Sequence, residues 1–155
     1  MDSHVADGLT IDLGGLPALV GARLGPTAWA EMTQAQVNQF ADLTGDHNFI
    51  HVDPERARES QFGGTIAHGF LTLSLVAPVT QLLTVTDAKA SINYGMDKVR
   101  FPAPLPVGKR WRAVAEILEV AEVKGGVQAR VAASVEVEGG ERPVVAAEVL
   151  LRYLS

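Results

Sequence analysis

An aspartate and a histidine stand five residues apart, Asp46 and His51, in the run Gly45-Asp46-His47-Asn48-Phe49-Ile50-His51-Val52-Asp53-Pro54. A carboxylate accepts a proton and an imidazole, with an ordinary pKa of about 6.5, exchanges one near neutrality, so together they can hold and polarise a single water. The spacing is not the i,i+4 of a helix face. Gly45, Asn48 and Pro54 break regular structure around the pair, which places it on a loop between two elements. Catalytic groups concentrate on loops held by a rigid scaffold. In isolation such a pair is more often a turn aspartate beside a hydrogen-bonded histidine, so its meaning depends on what surrounds it.

The neighbouring polar residues divide into structural and chemical readings. His47 and His51 are four apart, a zinc spacing on a helix, but Gly45 and Asn48 argue against a helix and no third ligand is evident, so no metal is expected. Asn48 either stabilises the turn by bonding its own backbone or orients Asp46 or the water; both readings stand. His68, directly before Gly69, reads as a residue that caps or orients the start of the next helix. His4 lies in a polar N-terminal stretch expected to be disordered.

The elements that must position these groups are legible around them. From His68 to Leu83 the chain is apolar on nearly every side, the signature of a helix buried in a core. It is shorter than the roughly 20 residues that span a bilayer and carries Thr, Ser and Gln. Pro78 within it removes a backbone bond at a cost of about 3 kcal/mol and predicts a kink. Upstream, Leu16 to Ala22 is expected as a short helix and Thr27 to Glu31 as a first strand. Thr33 with Gln36 has capping-box spacing for a helix over Gln34 to Leu43 that shows Val37, Phe40, Ala41 and Leu43 on one face. Asp53 before Pro54 repeats the helix-start signal, giving a short helix from Pro54 to Glu59 with Glu55, Arg56 and Arg58 as a solvated face.

Beyond residue 110 the period changes to two. Val127, Ala129, Val131, Ala133, Val135 and Val137 alternate with mostly polar residues, as in a half-buried antiparallel strand. Arg110 to Val123 and Val144 to Tyr153 read alike, with hairpin turns at Gly125-Gly126 and Gly139-Gly140. A curved antiparallel sheet wrapped around the 68–83 helix accounts for both patterns. The fold class is α+β, one domain over 1–155 with residues 1–12 flexible.

Composition narrows the functions available. The chain has 155 residues, 47% of them hydrophobic, enough for one sizeable core. A formal charge of −5 with no basic run argues against nucleic acid as a partner. There are no cysteines, which excludes disulfides, thiol nucleophiles and thiolate metal sites. Residues 1–8 lack the basic and apolar regions of a secretory signal, so a cytoplasmic protein that does not engage a membrane is expected.

Taken together, Gly45-Asp46-His47-Asn48-Phe49-Ile50-His51 followed by Ala67-His68-Gly69-Phe70 resembles the signature of the MaoC-like, (R)-specific enoyl-CoA hydratase family. The likeness continues through Tyr94 to Gly108, similar to that family's strand and turn after the central helix, and covers roughly residues 27 to 153. It implies a hot-dog fold and reversible syn addition of water across a trans-2-enoyl thioester, giving an (R)-3-hydroxyacyl thioester, on coenzyme A or acyl carrier protein. By the same resemblance Asp46 and His51 are the catalytic pair, and Gly69 supplies the backbone N–H that faces the thioester carbonyl. No cofactor is implied beyond the coenzyme A of the substrate. The family's assembly implies a homodimer with sheets joined edge to edge, which would also remove an exposed edge. One departure is Phe49, where many members carry proline, a change bearing on loop stiffness and the acyl pocket.

The chemistry agrees with this likeness. Hydration needs an activated water at the β-carbon, a proton delivered to the α-carbon and stabilisation of the enolate-like oxygen in between. Asp46 and His51 suit the first two, in shared roles. A helix-start N–H suits the third and contributes on the order of 3 kcal/mol. Phe49, Phe62, Phe70 and Tyr94 are the candidate acyl lining, and Lys98 and Arg100 the candidate phosphate contacts. Two other classes fit the residues less well. A hot-dog thioesterase would want a carboxylate on the central helix, and 69–83 has no Asp or Glu. A non-catalytic acyl-thioester binding module would not need the intact Asp46 and His51.

Overall fold

The computed structural model describes residues 8–155. His4 and most of the stretch read against a secretory signal lie outside the described residues. The terminal stretch expected to be flexible, 1–12, carries a short strand, β1 (Leu9–Ile11), that pairs in parallel with β4 (Leu83–Val85).

The architecture is α+β, as expected. A six-stranded antiparallel sheet runs in the order β2 (Arg23–Leu24), β6 (Arg110–Val123), β7 (Gly126–Val137), β8 (Val145–Leu154), β5 (Ala90–Arg100), with β3 (Ala30–Glu31) also paired to β6. The period-two reading holds in register. Ala113, Ala115 and Ile117 on β6, Ala129, Val131, Ala133 and Val135 on β7, and Val145, Ala147, Val149 and Leu151 on β8 are buried on one face. The first hairpin turns at Lys124-Gly125, where Gly125 has φ 85, a value that favours glycine. The expected first strand shortens to Ala30–Glu31, because Thr27 leaves the ladder and exchanges bonds with Ala113 through its backbone N–H and its side-chain hydroxyl. The expected helix at 16–22 is a 3-10 helix over Leu13–Leu19, started by Asp12, whose carboxylate accepts from the Gly15 N–H at 2.7 Å.

Helix α1 (Gln34–Thr44) begins with the capping box read from Thr33 and Gln36 and ends at Gly45 in the left-handed conformation. Its buried face is Val37 and Ala41, with Phe40 half-buried, whereas Leu43 is 83% exposed and does not share it. The pair region is not wholly loop: His51 sits on a one-turn helix, α2 (Phe49–Val52). Asn48 starts that helix by accepting from the Ile50 N–H at 3.3 Å. A short α3 (Pro54–Arg58) follows with Asp53 as its cap.

The expected continuous buried helix at 68–83 is two short ones, α4 (Gly69–Ser74) and α5 (Ala77–Thr80), and Leu83 belongs to β4. Pro78 has no N–H for the Ser74 carbonyl, and its ring crowds that oxygen. The chain therefore tightens into i,i+3 bonds, Leu75 to Thr72 and Val76 to Leu73, and restarts with Pro78 in the first turn of α5. The break falls just before the proline. Nor is the segment enclosed: Thr72, Val76, Val79, Thr80 and Leu83 are buried, while Phe70, Ser74, Ala77 and Gln81 are exposed. No helix among the described residues is long and apolar enough to cross a membrane.

Candidate active site

Asp46 lies between α1 and α2, and its Oδ1 accepts from the Asn48 N–H at 3.2 Å, the turn bond expected of an aspartate here. Its Oδ2 stands 4.0 Å from His51 Nε2. The carboxylate side chain is 52% exposed, whereas His51 is buried, at 6%. His51 Nδ1 donates to the Ile66 carbonyl at 2.7 Å, and since a carbonyl only accepts, the neutral imidazole carries its proton there. Nε2 is left as a bare acceptor toward Asp46. Two proton acceptors 4.0 Å apart are a natural seat for one water, which can donate a hydrogen to each and keep a lone pair for attack.

His68, only 2% exposed, packs directly on this pair. Its Nε2 donates to the Asp46 carbonyl at 2.9 Å, its ring stacks on His51 with centroids 3.9 Å apart, and Phe40 covers it at 4.9 Å. The expected role at the helix start is met in position but not in bonding. His68 is the N-cap residue of α4, yet makes no side-chain cap bond; its side chain instead ties the Asp46 loop to the helix. Its Nδ1 is buried without a partner among the described residues.

His68 also supplies the third candidate ligand that the sequence did not reveal: one donor atom each of Asp46, His51 and His68 lie within 4.8 Å of one another. The donor geometry does not fit an ion well. The two imidazole planes are only 25° apart in a stack, so their in-plane lone pairs run side by side instead of converging, and with His68 Nε2 given to the Asp46 carbonyl only its Nδ1 is free. His47, which shares only a four-residue spacing with His51, points elsewhere, with its Nε2 2.9 Å from Asp42 Oδ1 on the surface.

Burial pushes the His51 pKa below its usual 6.5, with the nearby His68 lowering it further, against the Ile66 carbonyl and Asp46, which raise it. The linkage has a definite sign. The unfolded chain binds this proton more readily, so the His51 contribution is fully present above pH 6.5 and is lost as pH falls through the lower folded value. His47, raised by its bond to Asp42, works in the opposite sense: its contribution is fully present below 6.5 and is lost as pH rises through the folded value. Urea unfolding of wild type and His51→Gln at a series of pH values separates them. The stability gap between the two proteins should narrow below pH 6.5, and parallel curves would remove the effect from His51.

The remaining sequence candidates do not all gather here. Gly69 follows His68 as the first residue of α4, where backbone N–H groups have no acceptor within the helix. Phe49 opens α2, with the Arg56 guanidinium 4.2 Å above its ring, and Phe62 is half-buried beyond α3. Phe70 is 75% exposed on α4. The contacts of the β5 candidates lie elsewhere. Tyr94 lies under Arg152 at 3.2 Å, Lys98 Nζ is 3.4 Å from Glu148, and Arg100 turns back to the Val99 carbonyl at 2.7 Å. Sequence reading gave Ile66 no role and placed Phe40 only on the apolar face of α1; they act through a backbone oxygen and a ring face, which have no residue-type signal.

The chain has relatives of known family. Residues 17–139 match the family profile described as MaoC like domain. The chain belongs to the MaoC-like dehydratase family. Within that family it is similar to 3-hydroxyacyl-thioester dehydratase Z of Mycobacterium tuberculosis, 51% identical over 142 residues that cover 90% of this chain and 94% of that protein. Among solved MaoC-like structures, R-hydratase PhaJ1 from Pseudomonas aeruginosa superposes with a TM-score of 0.72 at 27% identity, covering 88% of this chain and 82% of that one. The (R)-hydratase from A. caviae involved in PHA biosynthesis gives a TM-score of 0.72 at 27% identity, covering 86% and 96%. The fold is therefore the hot-dog fold, and membership in the MaoC-like dehydratases makes the chain a hydro-lyase.

Proposed function

We propose that this protein is an (R)-specific enoyl-CoA hydratase, acting in reverse as a 3-hydroxyacyl-CoA dehydratase, with Asp46 and His51 sharing the reacting water. The observation that carries this reading is the 4.0 Å gap between Asp46 Oδ2 and the unprotonated Nε2 of His51. The water oxygen bonds to the β-carbon as one of its protons passes to the pair, the enolate-like oxygen takes up the displaced electrons, and the pair returns a proton to the α-carbon. Both groups stand on one side of the alkene, so hydroxyl and hydrogen arrive on the same face. The Gly69 N–H serves the developing oxyanion as a simple donor. The helix it opens has only six residues, so the backbone N–H and not a long helix dipole supplies the stabilisation. No cofactor takes part beyond the coenzyme A of the substrate.

A single hot-dog domain in a homodimer is part of the proposal. β5 is one edge of the main sheet. Ile92 and Tyr94 on it, Phe101 just after it and Phe70 on α4 are large exposed apolar residues. An edge strand with such neighbours calls for a cover, and a second copy of the same edge provides one. Light scattering should give the mass of a dimer for wild type and of a monomer for Ile92→Asp; a monomeric wild type would contradict this.

The function is tested by incubating the purified protein with trans-2-enoyl-CoA substrates of graded length, following loss of enoyl absorbance and resolving the product on a chiral phase. (R)-3-hydroxyacyl-CoA is expected. An (S) product would reject the stereochemistry, and release of free coenzyme A without hydration would favour thioester hydrolysis.

A further inference from the structure

We infer that Gln34, acting with Thr65, is a positioning residue that sets the orientation of the His51 imidazole; the inference rests on the hydratase reading for its kinetic arm only. A one-turn helix cannot hold a catalytic ring by itself. The last carbonyls of α2 have no acceptor role to fill within it, and the ring needs a fixed partner for Nδ1. Both requirements meet at one amide. Gln34 Nε2, on the first turn of α1, donates to the His51 carbonyl at 2.7 Å and to Asn38 Oδ1 at 2.9 Å, while its Oε1 accepts from the Thr65 hydroxyl at 2.6 Å.

Thr65 is buried and directly precedes Ile66, whose carbonyl receives the His51 Nδ1 proton and whose N–H donates to the Ile50 carbonyl at 3.0 Å. One side chain thus bridges the backbone that carries the imidazole and the segment that receives its proton. The His51 carbonyl can only accept, so the amide must present its NH2 there and its oxygen to Thr65, and both polar atoms of the Gln34 side chain are used. The result aims Nε2 at Asp46. Without the bridge, both anchors of the ring loosen together. Displacement of a reacting group by about 1 Å costs on the order of 100-fold in rate.

The test uses Gln34→Leu, Thr65→Val, their combination and the conservative Thr65→Ser, with enoyl-CoA kinetics and proton NMR of histidine-labelled protein. Gln34→Leu should lower kcat by about 100-fold with KM nearly unchanged, and Thr65→Ser should keep near wild-type activity while Thr65→Val does not. The double variant should be no slower than Gln34→Leu alone, since the two residues act through one bridge. The slowly exchanging Nδ1–H signal of His51 should persist in wild type and Thr65→Ser and broaden in Gln34→Leu and Thr65→Val. A sharp Nδ1–H signal in both disrupted variants, or additive losses in the double variant, would overturn the bridge. Should wild type itself prove inactive on enoyl thioesters, the NMR arm still decides the bridge, and only the hydratase reading fails.

Discussion

Asp46→Asn should lower kcat for hydration of a trans-2-enoyl-CoA by about 1,000-fold, within the range that a lost general acid or base costs. The substitution keeps the shape of the side chain and an Oδ1 able to accept from the Asn48 N–H, so the loop that presents it should survive. It removes the ability to take a proton from water. A half-exposed carboxylate is also inexpensive to replace by an amide, so thermal unfolding should move little. Near wild-type turnover in this variant would take Asp46 out of the reaction.

His51→Gln should be equally damaging to turnover and, unlike the first, also to stability. The buried ring gives Nδ1–H to Ile66, stacks on His68 and presents Nε2 toward Asp46. A glutamine has no ring to stack, and an Ile66 carbonyl left without its donor costs about 1–3 kcal/mol. Loss of activity of about 1,000-fold with a lowered midpoint in urea is expected. In the wild type, kcat/KM should fall on the acid side below pH 6.5. There the imidazole, whose pKa burial holds under its usual value, gains a proton on Nε2 and can no longer accept one from water. An acid limb that persists unchanged when a residual activity is measured in His51→Gln would assign it to another group.

The strands beyond residue 110 were legible because their alternation is a property of each segment alone: Ala129, Val131, Ala133 and Val135 point inward in the register that a period of two demands. The capping box at Thr33 and Gln36 and the proline start at Pro54 are equally local and appear as read. The central segment misled because composition reports apolarity and not what covers it. Phe70 and Ala77 are apolar yet exposed, and Pro78 divides the helix by a steric rule whose effect falls at the residues before it. β1 and β4 are three residues each and pair across some seventy positions, a contact no local pattern announces.

At the site, the residue types of Asp46 and His51 were visible, with Asn48 and His68 beside them, while the contacts that anchor the pair were not. The loop expected around His51 is a helical turn because Asn48 caps it. The anchoring of the ring runs through the Ile66 carbonyl, which every residue type would offer, and through His68, which reaches from the start of α4 to the Asp46 backbone. Lys98 and Arg100 carried the right charge for a phosphate, but Lys98 pairs with Glu148, which also meets Arg130 at 2.9 Å. That pairing depends on strand register that the sequence pattern left open.

The sharing of one water by Asp46 and His51 is tested most directly by a crystal structure of the protein with bound (R)-3-hydroxyacyl-CoA, whose 3-hydroxyl oxygen occupies the place of the added water. That oxygen should lie within hydrogen-bond reach, about 2.6–3.2 Å, of both the Asp46 carboxylate and His51 Nε2. A hydroxyl that touches only one of the two, or neither, would contradict the account.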